Sequence, residues 1–120
     1  DVEIEFEAKT ATRGMNVTLQ VFDLDDVLLF ETIHNGDAGA NTFVDRGRYV
    51  ATCRIPADFL APRPYQLRID AGIAEVRRFY AEPVRVNIDV EQTGAVHAAY
   101  PGYRTPARLA PRLTWNVSAV

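Results

Sequence analysis

Two histidines, one cysteine, one serine and a scatter of carboxylates are the side chains from which a catalytic or metal site would have to be built. His34 and His97 stand far apart, with no HxxxH or CxxC pairing near either, so a zinc site has no foundation. Ser118 is the only serine and lies two residues from the end, a poor place to surround a nucleophile with a base and an oxyanion hole. No phosphate-cradling G-x-x-x-x-G-K-[ST] loop, dinucleotide G-x-G-x-x-G or G-x-S-x-G elbow occurs. Asp23, Asp25 and Asp26 resemble a calcium cluster, but an EF-hand loop needs glycine at its sixth position and Leu28 stands there. The carboxylates of Asp70 and Asp89 could be paired for glycoside hydrolysis only if the fold brought them together; otherwise they are solvated residues on a sheet face. The expectation is a protein that is not an enzyme and uses no metal and no cofactor.

The elements that must position any site are strands. Val2, Ile4, Phe6 and Ala8 alternate with Glu3, Glu5 and Glu7, and Val17, Leu19 and Val21 alternate with Asn16, Thr18 and Gln20. The same period of two runs through Tyr49 to Ile55, Tyr65 to Ala71, Val84 to Val90 and Leu113 to Val117, and marks half-buried antiparallel strands. Residues 27–33 are nearly continuously apolar, as in a strand covered on both faces. Turn chemistry separates the runs: Arg13-Gly14, Asn35-Gly36, Arg46-Gly47, Ala71-Gly72, and a hairpin connection at Asp23 to Asp26. Pro56 to Leu60 fits one helical turn with proline at its first position. The pattern predicts one all-β domain over residues 1–120, an antiparallel β-sandwich of seven to eight strands. Residues 92–111, with three prolines and two glycines, read as a long functional loop before the last strand.

Composition narrows the partners. The chain has 120 residues and a net charge of −3, with a pI near 5.3 and no clustered basic face, which argues against nucleic acid. The first 45 residues hold ten acids against Lys9 and Arg13, whereas the last 29 hold three arginines and no acid, so the ends neutralise each other within one fold or across a dimer. No apolar run approaches the ~18 residues of a membrane helix. Cys53 shares the apolar parity of its run and reads as a small core residue, and a single cysteine is compatible with a reducing compartment. The chain opens at Asp1 already inside a strand pattern, as expected of a domain from a longer protein.

Parity also places candidate ligand contacts. With Val17, Leu19 and Val21 inward, Thr18, Gln20 and Phe22 face outward; likewise Gln66, Arg68 and Asp70, and Arg85, Asn87 and Asp89. Amides, carboxylates and guanidinium groups supply the donors and acceptors that sugar hydroxyls need, and an aromatic supplies a face for the C–H side of a sugar ring. The candidate carbohydrate-binding set is Gln20, Phe22, Arg68, Asp70, Asn87, Asp89 and, in the long loop, Tyr100 and Tyr103. Phe22 breaks the polar-out rule, so it is either a binding aromatic or a covered one. The loop tyrosines either bind or pin the loop to the sandwich. Trp115 shares inward parity with Leu113 and Val117 and is expected in the core.

A family resemblance follows from the order of these motifs. Tyr49 to Gly72 reads YVATCRIPADFLAPRPYQLRIDAG, a strand ending in Ile55-Pro56, a turn ending in Leu60, then Pro62 and a strand led by Tyr65. With the hairpin VFDLDDVLLFET at 21–32, the Gly47-Arg48-Tyr49 triplet and the closing Pro111-x-Leu113-x-Trp115, it resembles the C-terminal O-antigen-binding domain of the Wzt family, the ATP-binding subunits of polysaccharide ABC transporters. Two turns depart from that pattern: Arg63 and Asp26 stand where glycine is usual. The resemblance implies an immunoglobulin-like or jelly-roll sandwich that recognises bacterial O-antigen polysaccharide for export and lipopolysaccharide biosynthesis. It implies a homodimer with a last strand open to exchange, ATP-binding and transmembrane transporter subunits as partners, and a cytoplasmic place at the inner face of the inner membrane. The alternative is a protein–protein interaction or dimerisation sandwich with no glycan site of its own.

Overall fold

The computed structural model describes residues 1–36, 42–73, 77–78, 82–91, 105–111 and 113–119. These residues form nine strand segments and no helix: β1 Val2–Ala8, β2 Thr12–Arg13, β3 Met15–Asp23, β4 Leu28–Ile33, β5 Phe43–Val44, β6 Gly47–Cys53, β7 Pro64–Ile73, β8 Arg77–Arg78 and β9 Val84–Asp89. All pairings are antiparallel. β4, β3 and β7 lie side by side, with β8 and β9 both on the far edge of β7. β1 pairs with β6 in a ribbon, and β2 with β5 in a shorter one. The chain is an all-β antiparallel sandwich, as the alternation requires.

The sandwich closes because the apolar sides of the two layers face each other. Leu19, Val21, Tyr65, Leu67 and Leu60 form one buried cluster, against which Val2 and Cys53 of the ribbon pack. Ala8, Met15, Val17 and Val44 form a second, with Ile4 and Phe6 beside it, and Ile69 touches both. Cys53 is therefore a half-buried packing residue, as its parity indicated.

The turns show how the sequence substitutes for glycine. Asp26 adopts φ 64°, the left-handed conformation for which glycine is usual at this hairpin position. Aspartate is one of the few other residues that tolerates it. Arg63 needs no such conformation; Asp58 takes it instead, at φ 60°. That left-handed residue, in a turn at 57–58, replaces the helical turn expected over Pro56 to Leu60.

Three other expectations are corrected. β4 is mostly exposed rather than covered on both faces, because it is an edge strand with only β3 beside it. Residues 113–119 adopt no strand, and Trp115 is 87% exposed rather than in the core. Parity has no meaning there, since no sheet among the described residues receives the segment. Of the long loop, residues 92–104 lie outside the described residues, while 105–111 dock on the sandwich. There Leu109 forms a bridge with Leu60, and the Ala110 amide donates to the Phe59 carbonyl at 2.8 Å.

Candidate functional site

The registers of β3, β4, β7 and β9 carry the outward side chains into two adjacent rows. One row runs Glu31, Gln20, Arg68, Arg85; the next runs Leu28, Phe22, Gln66, Asn87. Four strands abreast span about 14 Å at the usual interstrand spacing. The rows are hydrogen-bonded together. Gln20 Nε2 donates to Glu31 Oε2 at 2.9 Å, Arg68 Nε donates to Gln66 Oε1 at 2.8 Å, and Gln66 Nε2 donates to Asn87 Oδ1 at 3.2 Å.

Arg68 is the centre of this strip. Its guanidinium carbon lies 3.7 Å from the centroid of the Phe22 ring, a cation–π stack, and it forms an ion pair with Asp26 at the hairpin tip. Among the described residues, what covers the Phe22 ring is Arg68. The ring supports a flat guanidinium instead of offering its own face to a sugar.

Of the residues expected from sequence, Gln20, Phe22, Arg68 and Asn87 come together here. Asp70 lies on the same face, one row away opposite Thr18. Asp89 lies at the other end of β7, opposite Pro64, so Asp70 and Asp89 stand roughly 20 Å apart along the strand direction. That separation is too large for the carboxylate pair of a glycosidase, which needs about 5–9.5 Å. Tyr100 and Tyr103 lie outside the described residues. Gln66 joins the strip as its central link, and its outward parity was the available signal. Glu31 also joins it; the apolar look of residues 27–33 concealed its outward parity.

The polar residues that resembled chemistry elsewhere are structural. Asp23 is buried and serves the hairpin: its Oδ1 accepts from the Asp25 amide at 2.9 Å and the Val27 amide at 3.0 Å, while Oδ2 receives Arg108. His34 continues the β3–β4 ladder, accepting the Val17 amide on Nδ1 at 2.8 Å while its own amide donates to the Val17 carbonyl at 3.1 Å.

The Val27 amide, with Arg108 and the Asp25 amide, holds the Asp23 carboxyl below its ordinary value of 3.8 against the opposing effect of burial. A carboxylate with a depressed folded pKa contributes stability that is fully present above the unfolded pKa and lost as pH falls through the folded one. Denaturant midpoints are therefore expected to fall as pH drops below about 3.8. Asp23→Asn keeps a side-chain acceptor for the turn but cannot titrate. A midpoint in that variant that declines as steeply as the wild type over the same window would show that other carboxylates carry the effect.

Compared with known proteins, the chain matches no protein-family model and no curated protein.

Proposed function

We propose that this chain is a non-catalytic carbohydrate-binding domain that takes a glycan along the outward face of its five-stranded sheet. The observation that carries this reading is the strip Glu31–Gln20–Arg68–Gln66–Asn87. Gln20 is held by Glu31, and Arg68, Gln66 and Asn87 are linked in series beside that pair, so the strip offers both donors and acceptors. Such an array is already ordered before a ligand arrives, which reduces the entropy lost on binding. Its span suits a short run of linked sugar rings better than a single ring. The resemblance to Wzt C-terminal domains supports a bacterial O-antigen polysaccharide as ligand. The domain would then work in the cytoplasm, at the inner membrane, with the ATP-binding and transmembrane parts of an exporter.

The test is an NMR titration of the purified domain with O-polysaccharide from its source strain and from an unrelated strain. Saturable shifts at Gln20, Gln66, Arg68 and Asn87 with the cognate glycan alone are the expected result. A folded sample that responds to neither glycan would overturn the reading.

One observation favours a second reading, a dimerisation module. Leu113, Trp115 and Val117 alternate like a strand yet are 70%, 87% and 90% exposed, and Val84 and Val86 on β9 are also exposed. Exposed apolar side chains on this segment and on β9, which pairs only with β7 among the described residues, are the ingredients of pairing with a second copy, by exchange of this segment. Sedimentation of the wild type against Trp115→Ser separates the two readings, since only a dimer held by this segment would dissociate.

A further inference from the structure

The hairpin between β3 and β4 carries three aspartates, and they divide between two arginines. Asp23 and Asp25 take Arg108, from the 105–111 segment, whereas Asp26 takes Arg68, at the centre of the strip. The hairpin tip is therefore the one piece of backbone that touches both the docked segment and the strip through charged side chains.

The tip depends on the Asp23 carboxylate. Besides the two amides that its Oδ1 accepts, the Asp23 amide donates to the Val27 carbonyl at 3.1 Å, and the Asp26 amide donates to the Asp23 carbonyl at 3.2 Å. Asp26 reaches Arg68 from a left-handed backbone, at φ 64°, a conformation that persists only where surrounding contacts impose it. Asp23 is buried, and among the described residues the partner of its Oδ2 is Arg108. A buried carboxylate that loses its counter-charge turns toward water. The turn bonds made by Oδ1 would go with it, and Asp26 would lose its place against Arg68.

Arg108 is built as a strut. Its backbone is fixed to the core, where its carbonyl accepts both the Tyr65 hydroxyl at 2.6 Å and the Ala61 amide at 3.0 Å. Only its side chain extends to the tip, where it also reaches Asp25 Oδ2 at 3.4 Å. At the far end, Arg68 stacks on Phe22 and donates to Gln66, which donates in turn to Asn87. We propose that Arg108 is a positioning residue for the strip: docking of the 105–111 segment sets the hairpin that holds Asp26 against Arg68, so segment docking and glycan binding favour each other. The two states are the segment docked and released, and linkage makes the effect reciprocal. The glycan half of the proposal rests on the carbohydrate-binding reading of the strip; the coupling of Arg108 to Arg68 does not.

The test uses the whole chain, labelled with nitrogen-15, and the variants Arg108→Ala, Arg108→Lys, Asp26→Ala and the Arg108→Ala/Asp26→Ala double. Without ligand, the Arg68 Nε–H signal should shift and lose protection from solvent exchange in Arg108→Ala, while the amides of β1 and β6 stay as in the wild type. With source-strain O-polysaccharide, Arg108→Ala should weaken affinity about fivefold. Arg108→Lys, which keeps the charge for Asp23, should restore most of it. Asp26→Ala should cost about as much, and the double variant no more than either. In the reverse direction, polysaccharide should slow exchange of the Ala61 and Ala110 amides, which bind the segment to the sandwich. Should Arg108→Ala not fold, Asp26→Ala carries the test from an exposed position, since it should abolish that slowing. An Arg68 signal unmoved in folded Arg108→Ala, or losses that multiply in the double variant, overturns the positioning role and leaves the strip standing. Slowing at Ala61 and Ala110 that survives Asp26→Ala does the same. An Arg68 signal that responds to Arg108→Ala while no glycan binds any of the proteins sinks the carbohydrate reading and upholds the coupling.

Discussion

Replacing Tyr65 with alanine is expected to destabilise the domain by about 3–5 kcal/mol, the cost of emptying a large aromatic site in a packed core. Tyr65 is fully buried, at the centre of the first cluster with Leu19, Val21 and Leu67. Its hydroxyl lies 2.7 Å from the Ala61 carbonyl oxygen and 2.6 Å from that of Arg108, and shares one proton between them. Burial pushes the phenol pKa up, so the proton stays in place across the ordinary pH range. Tyr65→Phe keeps the ring and removes only the donor, at an expected cost of about 1–3 kcal/mol, because two carbonyls lose a partner. The two variants should also differ in place. Phenylalanine should leave the sheet intact and loosen 105–111, whose Arg108 carbonyl also accepts the Ala61 amide at 3.0 Å. Faster hydrogen exchange confined to Ala61 and Ala110 in Tyr65→Phe is the expected signature. Exchange that rises equally across β3 and β7 would show that the hydroxyl supports the whole core instead.

The second large effect is on binding. Arg68→Ala is expected to weaken affinity for the cognate glycan by about ten- to a hundredfold, a loss of roughly 1.4–2.8 kcal/mol. Its effect on folding should be modest: the ion pair ends on Asp26 at an exposed hairpin tip, where such pairs contribute about 0.2–1 kcal/mol, and the partly desolvated stack on Phe22 adds about 1–2 kcal/mol. Arg68 positions the strip: it stacks on Phe22, orients Gln66 and pairs with Asp26. Lysine keeps the charge but cannot lie flat and hold a fork of donors, so Arg68→Lys should rescue little. Calorimetry of the three proteins with the same polysaccharide settles the matter. Full affinity in Arg68→Ala would remove the strip as the binding element.

The strip was largely legible before the fold was known, because a period of two sorts side chains between faces without knowledge of which strands are neighbours. Gln20, Arg68 and Asn87 were placed on one face by Leu19, Leu67 and Ile88 alone. What parity could not supply was register. That Gln20 stands opposite Arg68, and Gln66 opposite Asn87, depends on pairings across tens of residues. The covering of Phe22 by Arg68 follows from that pairing, so Phe22 looked available when it was not. Arg108 reaching Asp23 from 85 positions away is another contact of this kind, and no local pattern announces it. Trp115 failed for the opposite reason: a convincing alternation was present, but alternation assigns a face only where a sheet exists.

The pairing of β1 with β6 has a kinetic consequence. β1 meets its partner only across a long span, Val2 with Cys53 and Ala8 with Gly47, so loops of roughly forty to fifty residues must close. β3 and β4, joined by the tight turn at Asp23 to Asp26, can pair almost at once. Folding is therefore expected to begin at this hairpin, gain β7, and seat the β1–β6 ribbon last, at the slow rates typical of chains dominated by non-local strand pairing. Until then β1 waits as an unpaired strand with three glutamates on one face, and their mutual repulsion keeps it from pairing prematurely with another nascent copy of itself.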